Sequence, residues 1–101
     1  MFKIYEDGKI ELTKGDTARI KETIYDEIGK VYSPSVTDII TFEIYRDRDS
    51  ETALLSYTGI EFVVLASDTD NLPRGQYWYK WYIMLSNGDK NTLAENVFYL
   101  R

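Results

Sequence analysis

The segment of residues 68–88 constrains the fold more than any other part of this chain. A polar cluster that contains Pro73 and Gly75 leads into an aromatic run, and Asn87-Gly88 follows that run. Asn-Gly between two apolar runs is the strongest short-range indication of a β-hairpin. The segment therefore predicts one long β-strand that lies between two turns.

Alternation along this strand predicts which of its faces is buried, because successive side chains of a strand point to opposite sides. The face predicted to lie in the core carries Tyr77, Tyr79, Trp81, Ile83 and Leu85. The other face carries Trp78, Lys80, Tyr82 and Met84. We expect this second set to point outward.

A two-residue loop at Asn87-Gly88 predicts how the last two strands pair. It places Tyr77 opposite Phe98, so that both side chains lie on the core face. In this register Leu93 and Val97 fall on the wrong phase. We therefore expect a β-bulge between residues 91 and 98.

Shorter alternating segments occupy the rest of the chain. A small hairpin is predicted about Asp7-Gly8, and further strands are predicted at residues 18–25, 39–45, 53–57 and 60–65. Their core positions are Ala18, Ile20, Ile24, Ile40, Phe42, Ile44, Ile60, Phe62 and Val64. Their outward positions include Thr41, Glu43 and Tyr45. Glu22 interrupts the inward phase, which indicates an edge position, a bulge or a paired carboxylate.

About seven or eight short strands, separated by turns and without helices between them, predict an all-β fold. The architecture that suits this pattern is an immunoglobulin-like antiparallel β-sandwich, with residues 1–101 as a single domain. Gly75-Gln76-Tyr77 matches the tyrosine corner of such sandwiches, although the cysteine pair of antibody domains is absent.

Composition argues against several classes of function. The net charge is −5 and no run of Lys or Arg interrupts the acidic background, so we expect no nucleic-acid partner. Without Cys or His, the chain lacks the thiol nucleophile, the usual neutral-pH base and the commonest metal ligand. No apolar stretch has the length of a signal peptide or a membrane span, so we expect neither export nor a membrane partner.

Two groups of side chains could offer oxygen ligands to Ca²⁺. The first comprises Asp47, Asp49 and Glu51, and the second comprises Asp68, Asp70 and Asn71. Neither has the full spacing of an EF-hand loop. The first is interleaved with arginines, and the second has the composition of a turn. We therefore assign no metal site, no cofactor and no catalytic residue.

Four residues on outward phases form the candidate contact site: Tyr45, Trp78, Lys80 and Tyr82. Aromatic rings in such positions can stack on a sugar or pack against another protein. The competing interpretation is that loops and long stems such as that of Lys80 cover these rings.

The chain as a whole resembles small β-sandwich domains encoded in phages and prophages of Gram-positive bacteria, including the N-terminal domains of baseplate upper proteins. The resemblance covers nearly the whole chain. It is carried by residues 12–18 (LTKGDTA), residues 38–44 (DIITFEI), Asp68-Thr69, Leu72, Gly75, Tyr77, Tyr79, Asn87-Gly88, Thr92 and Phe98-Tyr99-Leu100.

The resemblance implies a non-enzymatic structural or adaptor module of a phage tail or baseplate. Its partners would be other tail or baseplate proteins or further copies of itself. Its location would be the virion, assembled in the bacterial cytoplasm. The main alternative is a carbohydrate-binding module that recognises host cell-surface glycans through the exposed aromatic face. A small hydrolase with paired carboxylates is a third possibility.

Overall fold

The computed structural model describes residues 2–4, 7–21, 24–25 and 28–101, and within them the fold is all-β. The strands are β1 (Phe2–Ile4), β2 (Ile10–Leu12), β3 (Ala18–Lys21), β4 (Ile39–Tyr45), β5 (Leu55–Thr58), β6 (Glu61–Val64), β7 (Gly75–Met84) and β8 (Lys90–Leu100). A single 3₁₀ turn, Ala66–Thr69, is the one helical element in the described residues. No helix in this described part is long and apolar enough to cross a membrane.

The strands form two sheets that pack as a sandwich. The larger sheet has the order β1-β2-β8-β7-β4-β5, and the smaller sheet pairs β3 with β6. The pairing of β2 with β8 is parallel, whereas the sequence predicted antiparallel sheets throughout. Parallel neighbours need a long connection. Strands β3 to β7 supply it here, since β2 and β8 stand near opposite ends of the chain.

The core lies between the two sheets and contains the residues that alternation predicted. Ile20, Phe42, Ile44, Phe62, Tyr77, Trp81 and Phe98 are all buried. Phe42 of the larger sheet and Phe62 of the smaller sheet have ring centroids 4.8 Å apart. This contact joins the two sheets, and offset or tilted aromatic pairs at such a distance stabilise a core beyond their buried area.

The predicted tyrosine corner is present at the start of β7. The hydroxyl of Tyr77 donates a hydrogen bond to the carbonyl oxygen of Pro73, four residues upstream, at 2.5 Å. The bond ties the turn before β7 to the strand itself, as it does in immunoglobulin-like sandwiches. The ring is buried, so the same side chain fills the core and closes the corner.

The loop between β7 and β8 has three residues, not the predicted two. The amide of Leu85 donates to the carbonyl oxygen of Asp89 at 2.8 Å, which leaves residues 86–88 in the loop. Three-residue hairpin loops end with a residue at positive φ, and Gly88 has φ +92°. The pairing then shifts by one residue between Trp81 and Tyr82, so the predicted bulge is confirmed at Leu93. The same shift places Tyr77 opposite Phe98, as expected.

Burial differs from the predicted pattern at four positions. Leu85 was expected in the core but is only partly buried, because it lies just after the end of β7, beside the loop. Thr41 and Tyr45 were expected to face water but are buried, because β4 is a central strand flanked by β5 and β7. Ile60 was expected in the core but is 38% exposed, because β6 begins one residue later, at Glu61. Glu22 lies outside the described residues.

Candidate functional site

The four candidate contact residues lie together on the outer face of the larger sheet. Cross-strand pairing places Tyr45 beside Trp78 and Glu43 beside Lys80, with Tyr82 two residues further along β7. The smaller sheet covers the opposite face, since Phe42 and Tyr79 point into the core. We call Tyr45, Trp78, Lys80 and Tyr82 the outer strip.

A cation lies over each aromatic ring of the outer strip. The Lys80 ammonium is 5.1 Å from the ring centroid of Tyr45, and the Lys90 ammonium is 4.0 Å from that of Tyr82. The Arg48 guanidinium is 5.6 Å from the ring centroid of Trp78. Each such contact stabilises by about 0.5–1 kcal/mol at an exposed site. Each ring of the strip therefore has a positive charge over it, and the three rings are only partly accessible or buried.

Glu43 holds the hydroxyl of Tyr45 at the centre of the strip. That hydroxyl donates to Glu43 Oε1 at 3.0 Å. Burial, followed by this hydrogen bond, raises the pKa of Tyr45 to about 12. Burial also raises the pKa of Tyr82, with a further contribution from Glu43. Both phenols therefore stay protonated well above neutral pH, and each keeps a hydroxyl that can donate a hydrogen bond.

Trp78 carries a polar group that nothing in the described residues satisfies. Its indole Nε1 is buried and has no hydrogen-bond acceptor there, and the same holds for the core residue Trp81. A buried donor without an acceptor destabilises a fold by about 1–3 kcal/mol. Sequence alternation found Trp78 but could not show this, because the surroundings of Nε1 come from neighbouring strands.

Asp47 and Asp68, one from each group of possible Ca²⁺ ligands, accept hydrogen bonds from protein groups. Asp47 Oδ1 accepts hydrogen bonds from the amide of Asp49 and from the hydroxyl of Ser50. Asp68 Oδ2 accepts from the amide of Leu65 and from the hydroxyl of Tyr57, both at 2.9 Å. Across the residues that the structure describes, no three His, Cys, Asp or Glu side chains are grouped so that they could hold a metal ion.

A groove of about 510 Å³ at one end of the sandwich was not found from the sequence. It is lined by Ile24, Tyr25, Ile28, Tyr32, Ile83, Leu85, Asn91 and Leu93. One wall is formed by Ile24, Tyr25, Ile28 and Tyr32 and the other by the β7–β8 hairpin. The two walls are far apart in sequence, so no local pattern could join them. The exposure of Tyr25 and Ile28, at 61% and 76%, shows that this end of the molecule presents apolar surface to solvent.

Comparisons with known proteins assign the chain to no group. No protein-family model matches it, and neither the curated proteins nor the solved structures contain a significant match.

Proposed function

We propose that this chain is a non-enzymatic structural or adaptor module of a phage tail or baseplate, and that it acts through protein–protein contacts. The observation that carries the proposal is the outer strip, where a cation lies over each of three aromatic rings on one sheet face. Aromatic residues and Arg are enriched where proteins meet, and Trp and Tyr supply much of the binding energy there.

The geometry of the strip favours a protein partner over a glycan. A sugar that stacks on a protein needs the open face of an aromatic ring, but Arg48, Lys80 and Lys90 each lie over a ring of the strip. A protein partner can instead use the cations and rings together, by placing acidic groups and apolar side chains against them. Glycan recognition would first require those cations to move away, which loses the cation–π contacts.

The phage setting of this proposal is supported by the sequence resemblance alone. The proposed partners are accordingly other tail or baseplate proteins, and the proposed location is the virion. The protein-contact part of the proposal is independent of that setting, since it depends on the residues of the strip.

Capture of the chain by assembled particles tests the proposal. The immobilised domain is incubated with particles from the strain that encodes it, and the retained proteins are identified and titrated. Trp78→Ala should weaken retention of a tail component roughly thirty-fold, the effect of about 2 kcal/mol expected for an interface hot spot. Tyr99→Ala is the matched control, because Tyr99 is an exposed aromatic residue of the same sheet outside the strip.

Three outcomes would contradict the proposal. If the domain retains no tail component, the structural role is wrong. If Trp78→Ala and Tyr99→Ala weaken retention equally, the outer strip is not the contact site. Binding of the wild-type domain to a glycan array, lost in Trp78→Ala, would favour the carbohydrate-binding alternative instead. Thermal unfolding of each variant confirms that it is folded before binding is compared.

A further inference from the structure

Within the part of the chain that the structure describes, about half of strand β8 has an unpaired backbone edge. On one side β8 pairs with β7 along its whole length, but on the other side β2 pairs only with Phe98, Tyr99 and Leu100. The Asn96 side chain donates to the carbonyl oxygen of Asp7 and closes the next part of that edge. No strand formed by the described residues pairs with residues 90–95 on this side. We call residues 90–95 the free edge.

The backbone groups of the free edge point outward at alternate residues. The hydrogen bond from the Leu85 amide to the Asp89 carbonyl makes these two a bonded pair. In an antiparallel ladder bonded and non-bonded pairs alternate, so Lys90 and Thr92 direct their N–H and C=O groups away from β7. These groups are available to another strand, and the side chains of both residues are exposed.

The apolar groove lies along this same edge. Asn91 and Leu93 of the free edge line it, together with Tyr25 and Ile28 from the segment on its far side. A strand that pairs with the free edge would therefore also cover apolar surface. Unpaired edge groups beside an apolar groove are the two features used in recognition by strand addition.

We propose that the free edge pairs in antiparallel orientation with the same edge of a second copy of this chain. The inference deepens the proposed function and depends on it, since it names one of the protein partners of the module. The opposite charges at the two ends of the free edge indicate that its partner is a second copy of this chain. Lys90 stands at one end and Glu95 at the other, both on the outer face of the sheet, where Lys90 lies over Tyr82 and Glu95 pairs across from Lys80.

Antiparallel pairing about a two-fold axis brings each Lys90 close to Glu95 of the second copy. Opposite charges in neighbouring cross-strand positions stabilise a sheet, and a two-fold axis forms the contact twice. Among the described residues no ion pair involves Glu95. The bulge at Leu93 limits continuous pairing to short runs, so the association is reversible and depends on concentration.

Sedimentation velocity across a concentration series, at about 0.15 M salt to screen the net charge, tests the pairing. The wild-type chain should change from 11.8 kDa to twice that mass as the concentration rises. Thr92→Pro removes an outward N–H without removing a bond to β7, and an edge strand tolerates proline at such a position. We expect this variant to weaken dimerisation at least tenfold while its melting temperature stays close to that of the wild type.

Charge reversal provides a second, independent set of variants. Lys90→Glu and Glu95→Lys should each weaken the dimer, because each places like charges together. The double variant should restore it, because it reverses both charges and leaves the net charge at −5. If Thr92→Pro fails to fold, the charge-reversal variants alone test the proposed dimer. A monomer at every concentration, or a dimer that none of these changes weakens, would overturn the proposal.

The outcomes also separate this inference from the proposed function. Trp78→Ala leaves the free edge intact, so it should leave the dimer unchanged. A monomeric chain that is still captured through Trp78 would contradict only the dimer. A dimer that depends on Thr92, in a chain that no tail component retains, would contradict only the tail or baseplate role.

Discussion

At the scale of single residues, one side chain can serve the core and still carry an unsatisfied polar atom. Trp81 is 7% exposed and lies among the core residues of the larger sheet, yet its Nε1 has no acceptor in the described residues. Tyr77, by contrast, is 3% exposed, and its hydroxyl donates a hydrogen bond to the carbonyl oxygen of Pro73. The two residues share a face of β7, so the difference arises from what lies beyond the strand.

This difference makes Trp81 a test of the core assignment. Trp81→Ala should lower the free energy of unfolding by about 3–5 kcal/mol, since it opens a cavity in the core. Trp81→Phe should lower it by less than about 1.5 kcal/mol, because the smaller ring still fills much of the site and the unsatisfied N–H is removed. Urea unfolding of the three proteins measures both values. A loss under about 1 kcal/mol for the alanine variant would place Trp81 outside the core.

At the scale of elements, the β7–β8 hairpin shows how two local changes can leave a register intact. The loop is one residue longer than Asn87-Gly88 alone predicted, and the bulge at Leu93 adds one residue to the same strand. The two shifts compensate, so Tyr77 still lies opposite Phe98. Turn chemistry identified the position of the loop, and the bulge lies at Leu93, which packs against the core and lines the groove.

Gly88 tests the loop geometry. Its φ of +92° is a conformation that β-branched side chains rarely adopt, so Gly88→Val should destabilise the protein by about 1 kcal/mol or more. Gly88→Asn is the matched control, because Asn tolerates positive φ better and should lose less. Thermal unfolding compares them. Equal melting temperatures for the valine variant and the wild type would mean that the loop differs from the one described.

The outer strip makes a prediction about pH. Folding raises the pKa of Tyr45 from 10.0 to about 12, so the folded state favours the protonated phenol. Its stabilising contribution is complete below pH 10 and is lost as the pH rises from 10 to 12. The melting temperature should therefore fall over this range. The melting temperature of Tyr45→Phe should fall less steeply. Part of the decrease should remain, because the pKa values of Tyr57 and Tyr82 are also raised.

Ultraviolet titration of the phenols gives the check on this prediction. The wild-type protein should show a phenol ionisation near pH 12 that is absent in Tyr45→Phe, while the other tyrosines with raised pKa values ionise in both proteins. If the pH dependence of the melting temperature is the same in both proteins, Tyr45 does not contribute as described.

At the scale of the whole molecule, the sequence by itself determined the class of fold and most of the core. Alternation at period two identified the buried faces of β3, β4, β6 and β7, because a strand that buries one face must place apolar residues at every second position. Turn chemistry located the hairpin and the tyrosine corner for a similar local reason. The positions of the outer strip followed from the same alternation.

Only the tertiary structure decided the parallel pairing of β2 with β8, the free edge, the groove and the covering of the strip by cations. Each of these joins segments that are distant in sequence, such as Ile24 with Leu93 or Arg48 with Trp78. The local sequence pattern indicates which side chains of a strand are buried, but not which neighbouring element covers them. The burial of Tyr45 is the clearest case, because its outward phase was correct and its exposure was decided by the flanking strands of the sheet.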